Sequence, residues 1–222
     1  MKKALLAIAL FSASLSNLFG QDFQFGVRFD PQLAWLNESS EYLESDGARL
    51  AFRFGLMADV KFSQNYAIST GLFLDRRGGN LSFKENNSRY KPADHKNIFF
   101  YEHSIQYLEI PLTLRLTSNE LSSGIRIYGQ TGINLGILTE YKIDGEERES
   151  GGSRVEFTDR NFDNSNPFNP SFIFGGGVEY PLDGQLAVMG GLAYQQGFIN
   201  ASDIDNYDYQ TSRLSLQLGL LF

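Results

Sequence analysis

Apolar residues recur at every second position along most of this chain, which is a strand period and not a helical one. Residues 107–116 read YLEIPLTLRL: Leu108, Ile110, Leu112, Leu114 and Leu116 fall on one side, and Glu109, Pro111, Thr113 and Arg115 on the other. The same alternation runs through FQFGVRFDPQLAW (23–35), LAFRFGLMADVKF (50–62) and YAISTGLFLDRR (66–77). It returns in IRIYGQTGINLGIL (125–138), SFIFGGGVEY (171–180), QLAVMGGLAYQ (185–195) and RLSLQLGLLF (213–222). The pattern predicts eight strands, most of about 10–14 residues, where soluble sheets usually run ~5–6. A tilted strand crossing a bilayer needs ~9–11.

The connections 36–49, 63–65, 76–103, 117–124, 139–169, 181–184 and 196–211 alternate long and short without exception. The short ones (SQN, TSNELSSG, PLDG) are turn chemistry, and the long ones are polar. Outer-membrane barrels pair short periplasmic turns with long extracellular loops, and an even strand number returns both ends to the periplasmic side. The expected fold is all-β: an eight-stranded antiparallel transmembrane β-barrel with short periplasmic turns and long extracellular loops. One barrel domain is expected over residues 21–222. Pro111 cannot donate to a ladder, so a bulge or a missing ladder bond is expected there.

Alternation alone also fits a soluble closed barrel that turns its apolar face inward. The content of the faces separates the two. The polar face is rich in small residues, among them Gly26, Ala34, Gly55, Gly71, Gly132, Gly175 and Gly191. These suit the narrow interior of an eight-stranded barrel. The other face is Phe, Leu, Ile and Val with almost no charge, as lipid demands, since a charge near the midplane costs ~2–4 kcal/mol. Phe23, Phe25, Phe62, Tyr66, Tyr180 and Phe222 sit at the strand ends assigned to the periplasm, and Trp35 and Tyr194 toward the outer rim. That is the placement of aromatic girdles.

The N-terminus adds a destination. Lys2 and Lys3 precede the apolar run ALLAIALF and the small-residue tract SASLS. This three-part pattern predicts a secretory signal peptide over residues 1–20, cleaved between Ser16 and Gln21. Formal net charge is −7, which argues against nucleic acid as a partner. The chain has no cysteine, so disulfides, thiolate metal sites and cysteine nucleophiles are excluded.

The charges of the polar face define the candidate site. Arg28, Arg53, Lys61, Arg115, Arg126 and Arg213 face Asp30, Asp59, Asp75, Glu109 and Glu179. Desolvated single charges are costly, so these are expected to pair in a structural ion-pair network that fills the lumen. A narrow porin-like channel is the alternative. Catalysis is a further alternative, because Glu102, His103 and Ser104 stand in a row. Adjacent strand residues point to opposite faces, however, and do not form a relay easily. His103 and His95, the two histidines, are read as surface-loop residues. Asp203, Asp205 and Asp208 form a weak calcium candidate without the glycine and terminal glutamate of a calcium loop. No phosphate-binding loop, dinucleotide fingerprint, metalloprotease motif or nucleophile elbow occurs, and no cofactor is expected.

The start of the first strand, FGVRFDPQLAWL, together with YLEIPL, GGGVEYPL and the terminal LGLLF, resembles the PorT-type outer-membrane β-barrel proteins of the Bacteroidetes. The resemblance covers nearly the whole chain after the signal. It implies an outer-membrane location, and its founding type is tied to protein secretion and gliding motility. The terminal Phe222 is similar to the recognition signal read by the barrel-assembly machinery. Together these readings predict a non-enzymatic structural, adhesion or assembly component. Its expected partners are outer-membrane lipid, the assembly machinery during insertion, and a protein reached through the extracellular loops. A lipid-modifying enzyme is the last alternative.

Overall fold

A computed structural model of the chain describes residues 22–38, 43–83, 98–148, 154–161, 165–182, 186–202 and 208–222. The signal-peptide segment, His95, Asp203 and Asp205 lie outside the described residues. The strands are β1 (Asp22–Glu38), β2 (Leu43–Ser45), β3 (Arg49–Ser63), β4 (Tyr66–Phe83) and β5 (Ile98–Thr117). They continue with β6 (Arg126–Arg148), β7 (Arg154–Asn161), β8 (Phe168–Pro181), β9 (Ala187–Gly197) and β10 (Tyr209–Leu221). Eight of them close a ring of antiparallel pairs in the order β1, β3, β4, β5, β6, β8, β9, β10 and back to β1. The seam is finished by Phe25 and Phe222, whose backbones exchange hydrogen bonds of 3.0 and 2.8 Å. The short strands β2 and β7 lie off the ring, on β4 and β6 respectively.

The faces are those expected of a membrane barrel. The alternating residues Phe23, Phe25, Val27, Phe29 and Leu33 of β1 point outward and are exposed, while Arg28, Asp30 and Gln32 between them are buried. The outward apolar rows on the other strands include 66–74 on β4, 108–116 on β5, 127–137 on β6 and 214–218 on β10. They form one belt. At one edge Phe62 and Tyr66 pack with ring centroids 6.1 Å apart, and at the other Trp35 and Tyr194 with centroids 6.2 Å apart. The belt ends on a polar row in which Arg76 Nε donates to Gln106 Oε1 at 2.8 Å and Gln106 Nε2 to Thr139 Oγ1 at 3.1 Å.

Above that row the structure corrects the expected loops. The segments 76–103 and 139–169 are not loops throughout, since β4 runs on to Phe83, β5 starts at Ile98 and β6 reaches Arg148. Two local features hide this in the sequence. Gly78 and Gly79 interrupt the alternation of β4. In β6, Gln106 pairs Glu140 but Tyr107 pairs Leu138, which leaves Thr139 as an extra residue. Such a bulge shifts the side-chain parity of the strand. Tyr128, Gln130 and Asn134 face inward before it, Tyr141 and Ile143 after it.

Pro111 keeps its pairing with Asn134 on β6. On the β4 side the register passes from Thr70–Leu112 to Phe73–Glu109, and the steps between are unpaired with no shift in register. The expected interruption is therefore a gap in the ladder and not a bulge. Pro31 does the same on β1: it pairs Phe52 of β3, while the β10 ladder breaks between Phe29–Leu218 and Gln32–Ser215. A ring nitrogen without a hydrogen accounts for both.

Candidate functional site

The candidate site is the lumen. Asp30, Arg53 and Asp75 are register partners on three neighbouring strands, so their inward side chains meet side by side. Glu109 enters from β5 and Arg213 from β10. Glu109 is the hub. Its Oε2 accepts from Arg53 Nε and Arg213 Nη2, both at 2.8 Å, and its Oε1 accepts from Arg77 Nη2 at 2.9 Å. Asp30 takes Arg53 Nη1 at 2.8 Å and Arg28 Nε at 3.0 Å. Asp75 lies 2.9 Å from Arg77 Nε and 2.5 Å from Arg213 Nη1, and accepts from Gln32 Nε2 at 2.6 Å. Gln195 bonds Arg213 and donates to Ser171 Oγ at 2.7 Å. A smaller group nearer the chain ends joins Arg115 to Glu179 and, at 3.5 Å, to Asp59.

The cations also lie on aromatic faces. Arg53 and Arg28 sit 3.5 and 4.7 Å from the centroid of Phe73, Arg77 is 4.4 Å over Tyr107, and Arg115 is 4.0 Å over Tyr128. Weakly hydrated planar guanidinium groups suit such buried, stacked, multiply bonded places better than ammonium groups do. Removing one member of a buried network leaves an uncompensated charge, at a cost of about 3–5 kcal/mol.

Nine of the sequence-predicted residues enter these two groups: Arg28, Asp30, Arg53, Asp59, Asp75, Glu109, Arg115, Glu179 and Arg213. Lys61 and Arg126 do not. They line the mouth near the chain ends, around a cavity of about 40 Å³ that Asp59, Arg115 and Glu179 also border. Arg77 was missed because it was counted with the connection 76–103. Its signal was present: it lies two positions after Asp75, on the same side. Gln32 and Gln195 were also missed, since a neutral amide on a polar face carries no mark of its role.

Apolar layers flank the network. Met57, Phe73, Tyr128, Met189 and Leu221 pack on one side, and Leu36, Leu81, Ile105, Tyr107, Tyr141, Ile143 and Tyr209 on the other. Beside Pro111, Arg28 and Phe73 border a void of about 10 Å³, roughly the space of one water. The side chains of the network and of these layers are buried.

His103 is not a surface-loop residue. It is wholly buried inside the outer cluster, with Nδ1 2.7 Å from Tyr141 Oη and its ring beside Tyr209. Tyr141 and Tyr209 are themselves joined through their hydroxyls. Glu102, by contrast, pairs with Arg49 on the outside, and Ser104 is exposed. The three consecutive residues do not converge. His103 lies beyond the apolar belt, and burial, reinforced by the Arg49 charge, holds its imidazole down at about 3. Of the calcium candidates, Asp208 is described and accepts from Asn200 Nδ2 at 2.6 Å.

Solved structures similar to this chain include Neisserial surface protein A, at 14% identity and a TM-score of 0.47, with 89% of this chain and 97% of that one covered. OprG from Pseudomonas aeruginosa matches at 14% identity and 0.47 over 91% and 97%. Ail, the attachment invasion locus protein of Yersinia pestis, matches at 14% and 0.42 over 90% and 99%. No curated protein matches the chain. A closed ring of eight long strands with an apolar exterior and a charged interior is what an outer-membrane barrel requires. The family model for the outer membrane protein beta-barrel domain matches residues 17–170, and the chain belongs to that family.

Proposed function

We propose that this outer-membrane barrel is a closed, non-enzymatic component that works through its outward-facing rim, in a structural, adhesion or assembly and secretion role. The observation that carries the reading is the Glu109-centred network. It occupies the middle of the lumen with side chains from β1, β3, β4, β5 and β10. An ion crossing there would have to displace charge-assisted hydrogen bonds made in a low-dielectric interior. The separation of Glu102, His103 and Ser104 favours a non-catalytic role over lipid modification. The resemblance to PorT-type proteins favours the assembly and secretion branch. In this reading residues 1–20 direct export and Phe222 presents the chain to the barrel-assembly machinery.

Planar-bilayer recording of the purified protein tests the closed lumen. The wild type is expected to give no steady conductance, and a stable single-channel level would overturn the reading. Co-purification from gently solubilised outer membrane, with and without residues 84–97, tests the partner. A partner retained equally by both forms would overturn a role for those residues.

A further inference from the structure

The barrel wall has a break that the lumen does not need. Pairing between β3 and β4 stops at Phe52–Arg76, although β4 continues to Phe83. Farther up, β2 takes over as the neighbour of β4, at Leu81–Phe83. Between these points the wall holds a cavity of about 150 Å³, lined by Arg49, Leu50, Phe52, Arg76, Arg77 and Gly78 among others. Gly78 and Gly79 leave this part of β4 without side chains. Arg49 reaches β5, bonding the His103 carbonyl at 3.2 Å and pairing with Glu102.

The break sits at the upper edge of the apolar belt, since Arg76 is the first polar residue after the outward row 66–74. Arg76 is exposed, and its recorded side-chain partner is the neutral Gln106. Among the described residues no acid offsets its charge. Immediately beside it Leu50, 86% exposed, and Phe52 turn apolar surface outward. A cation at a membrane surface next to a lipid-facing apolar strip matches one kind of occupant. We infer that this break binds the phosphorylated headgroup of an outer-leaflet lipid, with Arg76 and Arg49 on the phosphate and an acyl chain along Leu50 and Phe52. Arg76 supplies a planar guanidinium fork suited to phosphate oxygens. The two arginines assigned to the phosphate, Arg76 and Arg49, are not members of the Glu109 network, so the proposal does not rest on a closed lumen or on a loop partner.

The test is native mass spectrometry of the full chain in detergent, titrated with bis-phosphorylated lipid A, its dephosphorylated form and inorganic phosphate. Wild type is expected to retain the phosphorylated lipid, and each of Arg76→Gln and Arg49→Gln to weaken it by roughly fivefold. The dephosphorylated lipid is expected to bind the wild type no better than the phosphorylated lipid binds a variant carrying both Arg76→Gln and Arg49→Gln. Lys142→Gln, at an outward cation away from the break, is expected to change nothing. All variants are first checked for heat-modifiable gel mobility, so that loss of fold is not read as loss of binding. Equal weakening by Lys142→Gln would overturn the site in favour of diffuse attraction. Competition by inorganic phosphate at equal concentration would overturn the lipid in favour of the free anion.

Discussion

The same strands enclose two different interiors. At membrane depth β5 turns Glu109, Thr113 and Arg115 inward, and the lumen is an ion-pair network. A few residues farther out the same side of β5 carries Tyr107, Ile105 and His103, and the lumen is an apolar cluster with Leu36, Leu81 and Ile143. Along β5 the inward parity is the same at the two levels. What changes is the medium outside. Within the belt, lipid surrounds the apolar row and the inner face is free to be polar, provided its charges pair. Beyond the belt the outer face meets water and carries Arg76, Gln106 and Ser104, so stability there has to come from apolar burial inside. The outward part of this barrel is built like a soluble protein resting on a membrane protein.

The largest effect is expected where the charged interior is broken. Glu109→Ala leaves Arg53, Arg77 and Arg213 facing one another with only Asp30 and Asp75 to offset them. It is expected to destabilise the whole barrel by about 3–5 kcal/mol. Urea unfolding in lipid vesicles, followed by heat-modifiable mobility, would measure this. A midpoint unchanged from wild type would mean that the network contributes nothing to closure. Leu81→Ala breaks the other interior. Leu81 is fully buried in the outer cluster, and large-to-small changes in cores cost roughly 2–5 kcal/mol. The loss is expected to stay local: proteolysis of the outward ends of β4–β6 should accelerate while the belt stays resistant. Cleavage within the belt at the same rate would show that the two interiors are one cooperative unit.

How much of this was legible in the sequence follows the same division. The belt was legible because lipid imposes a strict rule: each apolar row from Phe23 to Phe222 had to be continuous. From that rule the inward faces of Arg53, Glu109 and Arg213 followed directly. Their partners did not. Arg53 and Glu109 are far apart in sequence and meet only because β3, β4 and β5 are neighbours in the closed ring. The outward part was read as loop because water imposes a looser rule. Gly78 and Gly79 blank the alternation in β4, and the extra Thr139 puts Tyr141 and Ile143 out of phase with Asn134. His103 was misplaced for that reason: its strand was ended one residue short of it.

Acid should separate the interiors more gently. His103 is held at about 3 in the folded cap, against ~6.5 for an unhindered histidine. The unfolded form therefore binds a proton over that interval and the folded form does not. The contribution of a neutral His103 is present in full above about 6.5 and is lost as pH falls toward 3. Amide protection factors at the outer ends of β5 and β6, taken against the intrinsic exchange rate at each pH, are expected to fall between pH ~7 and ~4.5, and less so in His103→Gln, while those of the belt amides hold. An identical acid response in the variant would assign the effect to the surface carboxylates instead.

The smallest effect is expected at Pro111, and its value lies in the sign of two opposed terms. Pro111→Ala restores a backbone N–H where the β4–β5 ladder is interrupted between Thr70–Leu112 and Phe73–Glu109. A new ladder bond is worth about 0.5–1.5 kcal/mol net. The substitution also frees the unfolded chain from the fixed ring, which costs about 0.4–1 kcal/mol in the other direction. The two nearly cancel, so the urea midpoint is expected to move little. Local protection is not subject to that cancellation, because amide exchange reads the bond itself. The alanine amide at position 111 is expected to exchange as slowly as those of its neighbours Leu112 and Thr113. A fast amide there would mean that the missing hydrogen is not what opens the ladder, and that the adjoining Arg28–Phe73 void holds the strands apart.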